Sequence, residues 1–565
     1  MVRATFAGFT TALSALQANQ KRLDITGQNL SNMNTVGYTR QKLETSSLNY
    51  TNPISHYMNG TEIMVGYGVS MDKVTQVRDP FLDAQYRSQM EKSGYTDAMQ
   101  TSLDSLSRFL DESNIAGIRQ AFDNIQNTLN LAHDPAKVND GVFESELRLR
   151  MQELTNLLNL SAQKIDEAKK QEFERLDGEG TNQNGAEQTV NDILKQIGEL
   201  NRQIKHNQVF GQPSLELMDE RNVLLDELSS YVPIEVRYSK DEAHKDDKDW
   251  PDDLYVDMIY YENGTDRKSL TLISGTDGSA DQNYGKLDII PDATGAAGTN
   301  YLNVTAQFTS AAASADAGAS IIIGGSDDPT NKVNQFNGGS IQSSLDMLSG
   351  ESSTDVQKID LAETHGYQYY INHLDNLAQS FAKVMNELNI KGSYGDTDAY
   401  LMVNRQAAAG ANPADDITAA NIGINSAWTD GSVSLGKGFS GPNDQNNAND
   451  TALAMLRAMS TVYNGAGDPP YDSANLANKT FAGYISNVST VLATDSSHNQ
   501  ASLKNNVTIL NGIQNSRDSI SGVSLDEEAS NMMTYQAAYN AASRLMTALD
   551  EALNTLINNT GLVGR

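Results

Sequence analysis

The sequence predicts a multidomain protein of the α plus β class: an elongated helical bundle with coiled-coil terminal helices and inserted, mainly β outer domains. Its 565 residues exceed what a single hydrophobic core normally covers, so several domains are expected. Apolar residues recur at alternating intervals of three and four along both flanks, as in long helices that pack on partner helices. Near Pro233 the composition changes to Asp, Gly, Thr, Ser and Ala with short β-type runs, which indicates an insertion.

The last forty residues carry the longest regular stripe. Its period of about 3.5 residues is typical of a helix that supercoils against a partner. Ser524 and Glu527 have the spacing of a capping box, which predicts that the helix begins there. The stripe consists of Leu525, Glu528, Met532, Tyr535, Tyr539, Ala542, Met546, Leu549, Leu553 and Leu556.

The first thirty residues offer a partner helix with the same alternation, interrupted by one Gln and one Gly. Periodicity alone favours equally a second interpretation, in which each terminal helix packs on an ordinary core. It also leaves open whether the stripes meet within one chain or between chains. The N-terminal stripe consists of Phe9, Leu13, Leu16, Gln20, Leu23, Gly27 and Leu30.

Four further stripes predict the helices of the bundle. They run from Ile118 to Leu129, from Leu147 to Ile165, from Val190 to Ile204 and from Tyr367 to Leu388. The predicted domains are the terminal helices (1–50 and 520–565), the helical bundle (51–233, 337–391 and 447–519), a mainly β insertion (234–336) and a second, small β-type insertion (392–446).

The insertions are predicted from strand-like runs between turn signals. LYVDMIYY, SLTLIS and ASIIIGG lie in the first insertion, with turns at Asn263-Gly264 and Asp277-Gly278. NIGIN and SVSLG are the possible strands of the second. Because both ends of the first insertion return to the bundle, we expect it to be removable without loss of the bundle. The alternative is a disordered linker.

Charge and composition exclude several classes of function. The net charge of −31 argues against nucleic acid and against an anionic membrane surface, since both require clustered Lys and Arg. The chain has no cysteine, and hence no disulfide or thiolate chemistry. The first twenty residues lack the continuous apolar region of a signal peptide. No run of apolar residues is long enough to span a membrane, so no membrane insertion is expected.

The sequence contains none of the common catalytic motifs. Its seven histidines form no HExxH pair, and there is no Walker A sequence, nucleophile elbow or EF-hand loop. His365 and His373 are eight residues apart on a predicted helix, and we predict surface positions for both. We therefore expect no enzyme activity, no cofactor and no metal site.

The run LDITGQNLSNMNTVGYTRQ, from Leu23 to Gln41, resembles the N-terminal signature of the bacterial flagellar axial proteins, the family of rod, hook and hook-associated proteins. In that signature a helix ends at an Asn-rich segment, and Gly-Tyr begins an extended strand. Asn side chains can satisfy terminal carbonyls, and Gly supplies conformational freedom at the helix exit. The matching positions are Asn29, Asn32, Asn34, Gly37 and Tyr38.

The C-terminal run SGVSLDEEASNMMTYQAAYNAASRLMTALDEALNTLI resembles the hook-associated branch of the same family. LMDERNVLLDELSSYV (residues 217–232), FNGGSIQSSLDML (residues 336–348) and the helix from Tyr367 to Leu388 resemble segments of its bundle. A distal rod or hook protein, or a surface adhesin on a flagellar scaffold, are the alternatives. The C-terminal signature positions are Ser521, Gly522, Val523, Asp526, Glu527 and Glu528.

The resemblance implies an extracellular structural protein at the junction of hook and filament. It implies type III export without a cleaved signal peptide, polymerisation through a coaxial coiled coil, and contacts with the hook protein and a second junction protein. An export chaperone would bind the C-terminal helix, at a face that includes Leu545, Leu549, Leu553 and Leu556. The implied assembly residues are Leu13, Leu16, Leu23, Leu30, Leu525, Met532, Tyr535, Tyr539, Met546, Leu549, Leu553 and Leu556.

Overall fold

The structure of the chain is a computed structural model. It describes residues 3–48, 68–109, 112–138, 141–178, 185–240, 244–247, 250–262, 265–275, 283–291, 301, 304–312, 314, 318–325, 334–349, 365–394, 396–408, 410–439, 449–465 and 474–559. The predicted turns at Asn263-Gly264 and Asp277-Gly278 lie outside these residues. None of the helices in the described part has the length and hydropathy needed to cross a bilayer.

Long α-helices dominate the described residues. A short 3-10 helix, Leu131–His133, joins two of them. The helices are α1 (Arg3–Ser31), α2 (Pro80–Phe109), α3 (Glu112–Asn130), α4 (Pro135–Val138), α5 (Gly141–Asp177), α6 (Ala186–Val209), α7 (Leu215–Tyr231), α8 (Ser340–Leu348), α9 (Tyr367–Gly392), α10 (Ser426–Thr429), α11 (Asp450–Ser460), α12 (Phe481–Ser521) and α13 (Leu525–Asn559).

The strands form small antiparallel sheets, so the predicted α plus β class is confirmed. Three sheets are two-stranded pairs (β1–β2, β9–β10 and β11–β12), and two have three strands in the orders β3-β4-β5 and β6-β7-β8. The strands are β1 (Gln41–Ser47), β2 (Val69–Gln76), β3 (Ile234–Ser239), β4 (Asp253–Glu262), β5 (Asp266–Ser274), β6 (Lys286–Ile290), β7 (Thr305–Thr309), β8 (Ser320–Ile323), β9 (Met402–Asn404), β10 (Ile422–Ile424), β11 (Tyr463–Asn464) and β12 (Asn475–Lys479).

The four predicted bundle stripes are helices whose apolar residues are buried, as predicted. On α9 the stripe from Tyr367 to Leu388 lies inside the core, where Phe381 meets Phe122 of α3 edge-to-face at 5.4 Å between ring centroids. Phe481, the first residue of α12, stacks on Phe122 at 5.8 Å and meets Phe381 edge-to-face at 5.3 Å between ring centroids. Buried aromatic residues from three distant parts of the chain thus join one hydrophobic core.

The first insertion is not independent of the bundle, which corrects our expectation that it could be removed without loss. LYVDMIYY and SLTLIS lie in β4 and β5, and ASIIIGG contains β8, as predicted. The buried faces of these strands belong to the same continuous core as the helices. Asn191 of α6 donates from Nδ2 to the Leu287 carbonyl and accepts from the Leu287 N–H, both at 2.8 Å.

The second insertion contains one of the two predicted strands. NIGIN includes β10, which pairs with β9. SVSLG was predicted as a strand and is not one. Its backbone N–H groups bond elsewhere: Leu435 N donates to Glu144 Oε1 at 2.8 Å, and Gly436 N donates to Asn389 Oδ1 at 2.7 Å. Side chains of α5 and α9 therefore take the place of a neighbouring strand.

The surface positions predicted for His365 and His373 are wrong, since both side chains are buried. His365 Nδ1 lies 3.0 Å from Asp495 Oδ2, and His373 Nδ1 is hydrogen-bonded to the Tyr484 hydroxyl. Burial, with a smaller contribution from His365, lowers the pKa of His373 to about 4, so this ring is neutral at pH 7. Both partners come from α12, more than a hundred residues away.

Candidate functional site

Helices α1 and α13 pack together as an antiparallel pair, here called the terminal helix pair. Near one end, Gly8 lies beside Leu549, so close that a Cβ on Gly8 would be 3.3 Å from the leucine methyls. Farther along, the Arg22 guanidinium lies over the Tyr535 ring, 5.6 Å from its centroid. Residues later in α1 contact residues earlier in α13, so the two helices run antiparallel.

The predicted stripe on α13 is the face that packs against other residues of the same chain. Its middle is buried or half-buried, whereas the two end residues, Leu525 and Leu556, are exposed. In this structure the stripe therefore meets a helix of the same chain. The covered residues are Glu528, Met532, Tyr535, Tyr539, Ala542, Met546, Leu549 and Leu553.

The stripe predicted on α1 is not the buried face. Leu13 is 48% exposed, and Leu16, Leu23 and Leu30 are only half-buried. Apart from Ile25, small and polar residues occupy the buried positions, because a helix with short side chains can approach both α13 and the β1–β2 hairpin closely. The Ser14 hydroxyl, for instance, accepts a hydrogen bond from Val69 N at 3.3 Å. The buried residues are Ala12, Ala18, Asn19, Ile25, Thr26 and Asn29.

The N-terminal signature residues form a turn that leads from α1 into β1. Asn29 Oδ1 accepts from Gln41 N at 3.0 Å and from the Tyr38 hydroxyl at 2.9 Å, while its Nδ2 donates to the Gln41 carbonyl at 3.0 Å. Asn32 Nδ2 donates to the Gln28 carbonyl at the end of the helix, and Asn34 is exposed. The buried Asn29 amide therefore fixes the angle between helix and strand.

The C-terminal signature lies against this turn. Arg40 N donates to the Ser521 carbonyl at 2.9 Å, and Arg40 Nη1 lies 2.6 Å from Glu527 Oε2. Glu527 thus binds across to the other signature, a role that differs from the predicted capping box. Glu528 is buried nearby. Gly522 caps the end of α12, Val523 is half-buried and Asp526 is exposed. Three residues separate the end of α12 from the start of α13.

An ion-pair network lies next to this turn, where the terminal helix pair meets the bundle. Arg78 Nε is 2.7 Å from Asp83 Oδ2, and Asp83 Oδ1 is 2.8 Å from Arg517 Nε. Arg517 Nη1 is in turn 2.7 Å from Asp226 Oδ2. All these side chains are largely buried. The network consists of Arg78, Asp83, Arg87, Asp219, Asp226 and Arg517.

Asp219 ties the network to the signature turn. Its carboxylate accepts from Thr39 N at 3.0 Å, from Thr39 Oγ1 at 2.6 Å and from Gln76 Nε2 at 2.9 Å. Burial raises the pKa of Asp219, although the Thr39 hydrogen bonds and Arg78 oppose the rise. Our list of site residues missed this network. Asp219 and Asp226 lie in the run LMDERNVLLDELSSYV, which was the one signal that could have found them.

The signature turn should not tolerate a side chain at Gly37. Gly37 has φ +80°, and a Cβ there would collide with the Val223 side chain of α7. We expect Gly37→Ala to destabilise the turn by about 1 to 2 kcal/mol, because L-residues disfavour left-handed backbone. Gly27→Ala is the matched control: no atom lies within 4 Å of its added Cβ, and Ala stabilises a helix. Thermal melts should move in opposite directions, and equal shifts would contradict this reading.

These contacts join separate parts of the chain. Within the described ranges, no group of three or more His, Cys, Asp or Glu side chains is arranged to hold a metal ion. The end of α1, the start of α13, the β1–β2 hairpin and the bundle meet at one point.

Three family models match the segments that meet here. The model described as "Flagella basal body rod protein" matches residues 9–39, and "Flagellar basal body rod FlgEFG protein C-terminal" matches residues 514–559. These are the two partners of the terminal helix pair with their signatures. The model described as "Flagellar hook-associated protein FlgK helical domain" matches residues 103–246, in the bundle.

Similarity to two relatives extends over longer stretches. Flagellar hook-associated protein 1 of Bacillus subtilis (strain 168) is 29% identical over 574 residues, covering 99% of both chains. Its counterpart in Salmonella typhimurium is 28% identical over 230 residues, which cover 40% of this chain and 38% of the relative. A solved structure, the flagellar hook junction protein FlgK from Burkholderia pseudomallei, aligns with a TM-score of 0.48 at 13% identity, covering 78% of this chain and 100% of that one. The chain is thus similar to flagellar hook-associated protein 1 over its whole length, and three of its segments match models of flagellar protein families.

Proposed function

We propose that the chain polymerises at the tip of the flagellar hook and forms the junction between hook and filament. Similarity to flagellar hook-associated protein 1 supports this location, and the bundle model that matches residues 103–246 favours a hook-associated protein over a rod or hook protein. The function is structural, with other copies of the chain, the hook protein and a second junction protein as partners. The chain reaches the cell exterior by flagellar export without a cleaved signal peptide.

One observation carries the proposal. The terminal helix pair leaves apolar side chains exposed on faces that α1 and α13 do not cover for each other: Met533 is 67% exposed, Leu13 48% and Leu545 47%. Single exposed apolar side chains are common on protein surfaces, so it is their position on the helix pair that carries the family signatures that points to an interaction site. The family signatures lie at the base of the same pair. We infer that neighbouring copies cover these residues in the assembled junction, and that an export chaperone covers part of α13 before assembly.

The two faces of α13 can be tested separately. Leu545→Asp places a charge on the exposed face, so the melting temperature and the helical content should stay unchanged while filament growth is lost. Leu549→Asp places a charge against α1, so the terminal helix pair itself should loosen, since a half-buried charge in an apolar contact loses part of its hydration without gaining a partner. Filament growth is measured in cells that lack the intact protein, and pair stability by limited proteolysis of the purified chain.

Gln536→Asp is the control, because it adds the same charge at an exposed position nine residues before Leu545, on the opposite side of the helix. It should support filament growth. If Leu545→Asp supports growth as well as Gln536→Asp does, the exposed face of α13 has no role in assembly.

A further inference from the structure

The bundle contains one large cleft near the base of the terminal helix pair. It has a volume of about 1450 Å³ and lies between the hairpin strand β2, helices α2 and α7, and strand β3. That volume exceeds the roughly 300 to 1000 Å³ of a typical small-molecule pocket. The cleft is therefore large enough for a segment of polypeptide.

The charge of this cleft is opposite to that of the chain. Seven Lys and Arg side chains line it against five Asp and Glu, in a protein of net charge −31. One of those acids, Glu91, is only partly charged at neutral pH, because burial raises its pKa to about 7. The cleft thus favours an anionic ligand.

Arg221 is the buried cation that such a ligand would meet. Its side chain lines the cleft and is only 4% exposed, and Nε has no hydrogen-bond partner in the described part of the chain. The guanidinium has neutral side-chain partners: Nη1 donates to Asn201 Oδ1 at 2.8 Å, and Tyr238 is a further hydrogen-bond partner. No ion pair formed by the described residues includes Arg221. A buried guanidinium without a carboxylate is costly, and a ligand carboxylate would satisfy it.

The wall next to Arg221 is suited to an extended chain. Strand β3 contributes Ile234, Val236 and Tyr238 to the cleft, and among the described residues it pairs with β4 on one side only. The unpaired edge of a strand can bond the backbone of an added peptide, and apolar neighbours can hold alternate side chains. We propose that this cleft binds an extended acidic segment of another polypeptide, with Arg221 holding one carboxylate.

The test uses the full chain and a fluorescent eight-residue peptide in which Glu alternates with Val. Fluorescence anisotropy should show binding that weakens with added salt. A peptide with Gln in place of Glu should bind about tenfold more weakly or worse, and so should the Glu peptide to Arg221→Met. Because Met fills the site without an unpaired charge, the melting temperature of Arg221→Met should stay level or rise. A fall in melting temperature with peptide binding retained would make Arg221 a structural residue and overturn the proposal.

A second variant, at an exposed residue, tests the cleft without changing the buried Arg221. Lys92 lies at the rim of the cleft and is exposed, so Lys92→Glu should fold normally and weaken peptide binding. Lys504→Glu, an exposed position on α12 outside the cleft, should not. Equal effects of the two lysine variants would reduce the binding to general charge attraction and overturn the proposal. Free glutarate should compete poorly; competition as strong as that of the peptide would assign the cleft to a small dicarboxylate instead.

Discussion

Removal of residues 234–336, with the ends joined by a short linker, is expected to unfold α6 and destabilise the whole bundle. The strands β3 to β8 all lie in this segment and share the core of the helices. The deletion therefore exposes apolar side chains of α6 that the sheets now cover. Each buried leucine or isoleucine side chain that returns to water costs about 1.5 to 3 kcal/mol.

Specific hydrogen bonds hold α6 to the first strand of the second sheet. Asn191 exchanges two hydrogen bonds with the Leu287 backbone, and Glu187 Oε2 accepts from Ile289 N at 2.8 Å. On the other sheet, Lys205 Nζ is 2.9 Å from Asp253 Oδ1, and both groups are buried. These side chains would lose their partners together.

Circular dichroism at 222 nm measures the outcome. The described residues of the deleted segment contain strands and loops but no α-helix, so the helical signal per molecule should be unchanged if the bundle were independent. We expect it to fall. Asn191→Ala tests the same contact without a deletion and should cost about 1 to 3 kcal/mol, because it leaves two backbone groups of Leu287 unsatisfied. Gln196→Ala, exposed on the same helix, is the control. An unchanged helical signal in the deletion variant would restore the insertion as a separable domain.

The sequence was most informative where burial follows a simple period. The bundle helices were predicted correctly because one face of each helix meets apolar neighbours in the core. On α1 the predicted stripe is not the buried face, which consists of Ala12, Ala18, Asn19, Ile25, Thr26 and Asn29. A search for regularly spaced large apolar residues overlooks a helix face whose short side chains allow neighbouring elements to pack closely.

Polar side chains inside the fold escaped prediction for a different reason. His373, Asp219 and Arg517 are buried because each has a partner far away in the sequence: Tyr484, Thr39 and Asp83. A charged or polar group without such a partner is more stable at the surface, so a prediction from residue type alone assigns it to the surface. Asn29 and Gly37 could be identified because they belong to one contiguous sequence signature. The ion-pair network beside them could not, because its members are far apart in the sequence.

Loss of the Asp83 carboxylate should release α12 from α2 at the base of the terminal helix pair. Asp83 lies between Arg78 and Arg517, and all three side chains are largely buried. Asp83→Asn keeps the shape but removes the charge that both guanidinium groups share. Breaking a buried ion pair costs about 3 kcal/mol or more. Asp226 still holds Arg517 at 2.7 Å, so we expect loosening of this region rather than loss of the fold.

Hydrogen exchange of the α12 backbone is the measurement that localises the effect. Protection should fall in the last turns of α12, around Arg517, and remain normal near Phe481, which lies in the aromatic core. Asp97→Asn is the matched control, since Asp97 lies on α2, as Asp83 does, and is exposed. If both variants exchange alike, the network does not hold the two helices together.

The dependence on pH gives a second check with a definite sign. Burial would raise the pKa of Asp83, but hydrogen bonds from Arg78 and the charges of Arg78, Arg517 and Arg87 outweigh it and hold the pKa below its ordinary value of 3.8. A carboxyl whose pKa is lower in the folded state stabilises that state fully above its unfolded pKa, and the contribution is lost as the pH falls through the folded value. The difference in stability between the native chain and Asp83→Asn should therefore be constant from about pH 5 to 7 and shrink below about pH 4. A difference that grows on acidification would mean that Asp83 is held neutral in the fold, and that the arginines are paired by Asp219 and Asp226 alone.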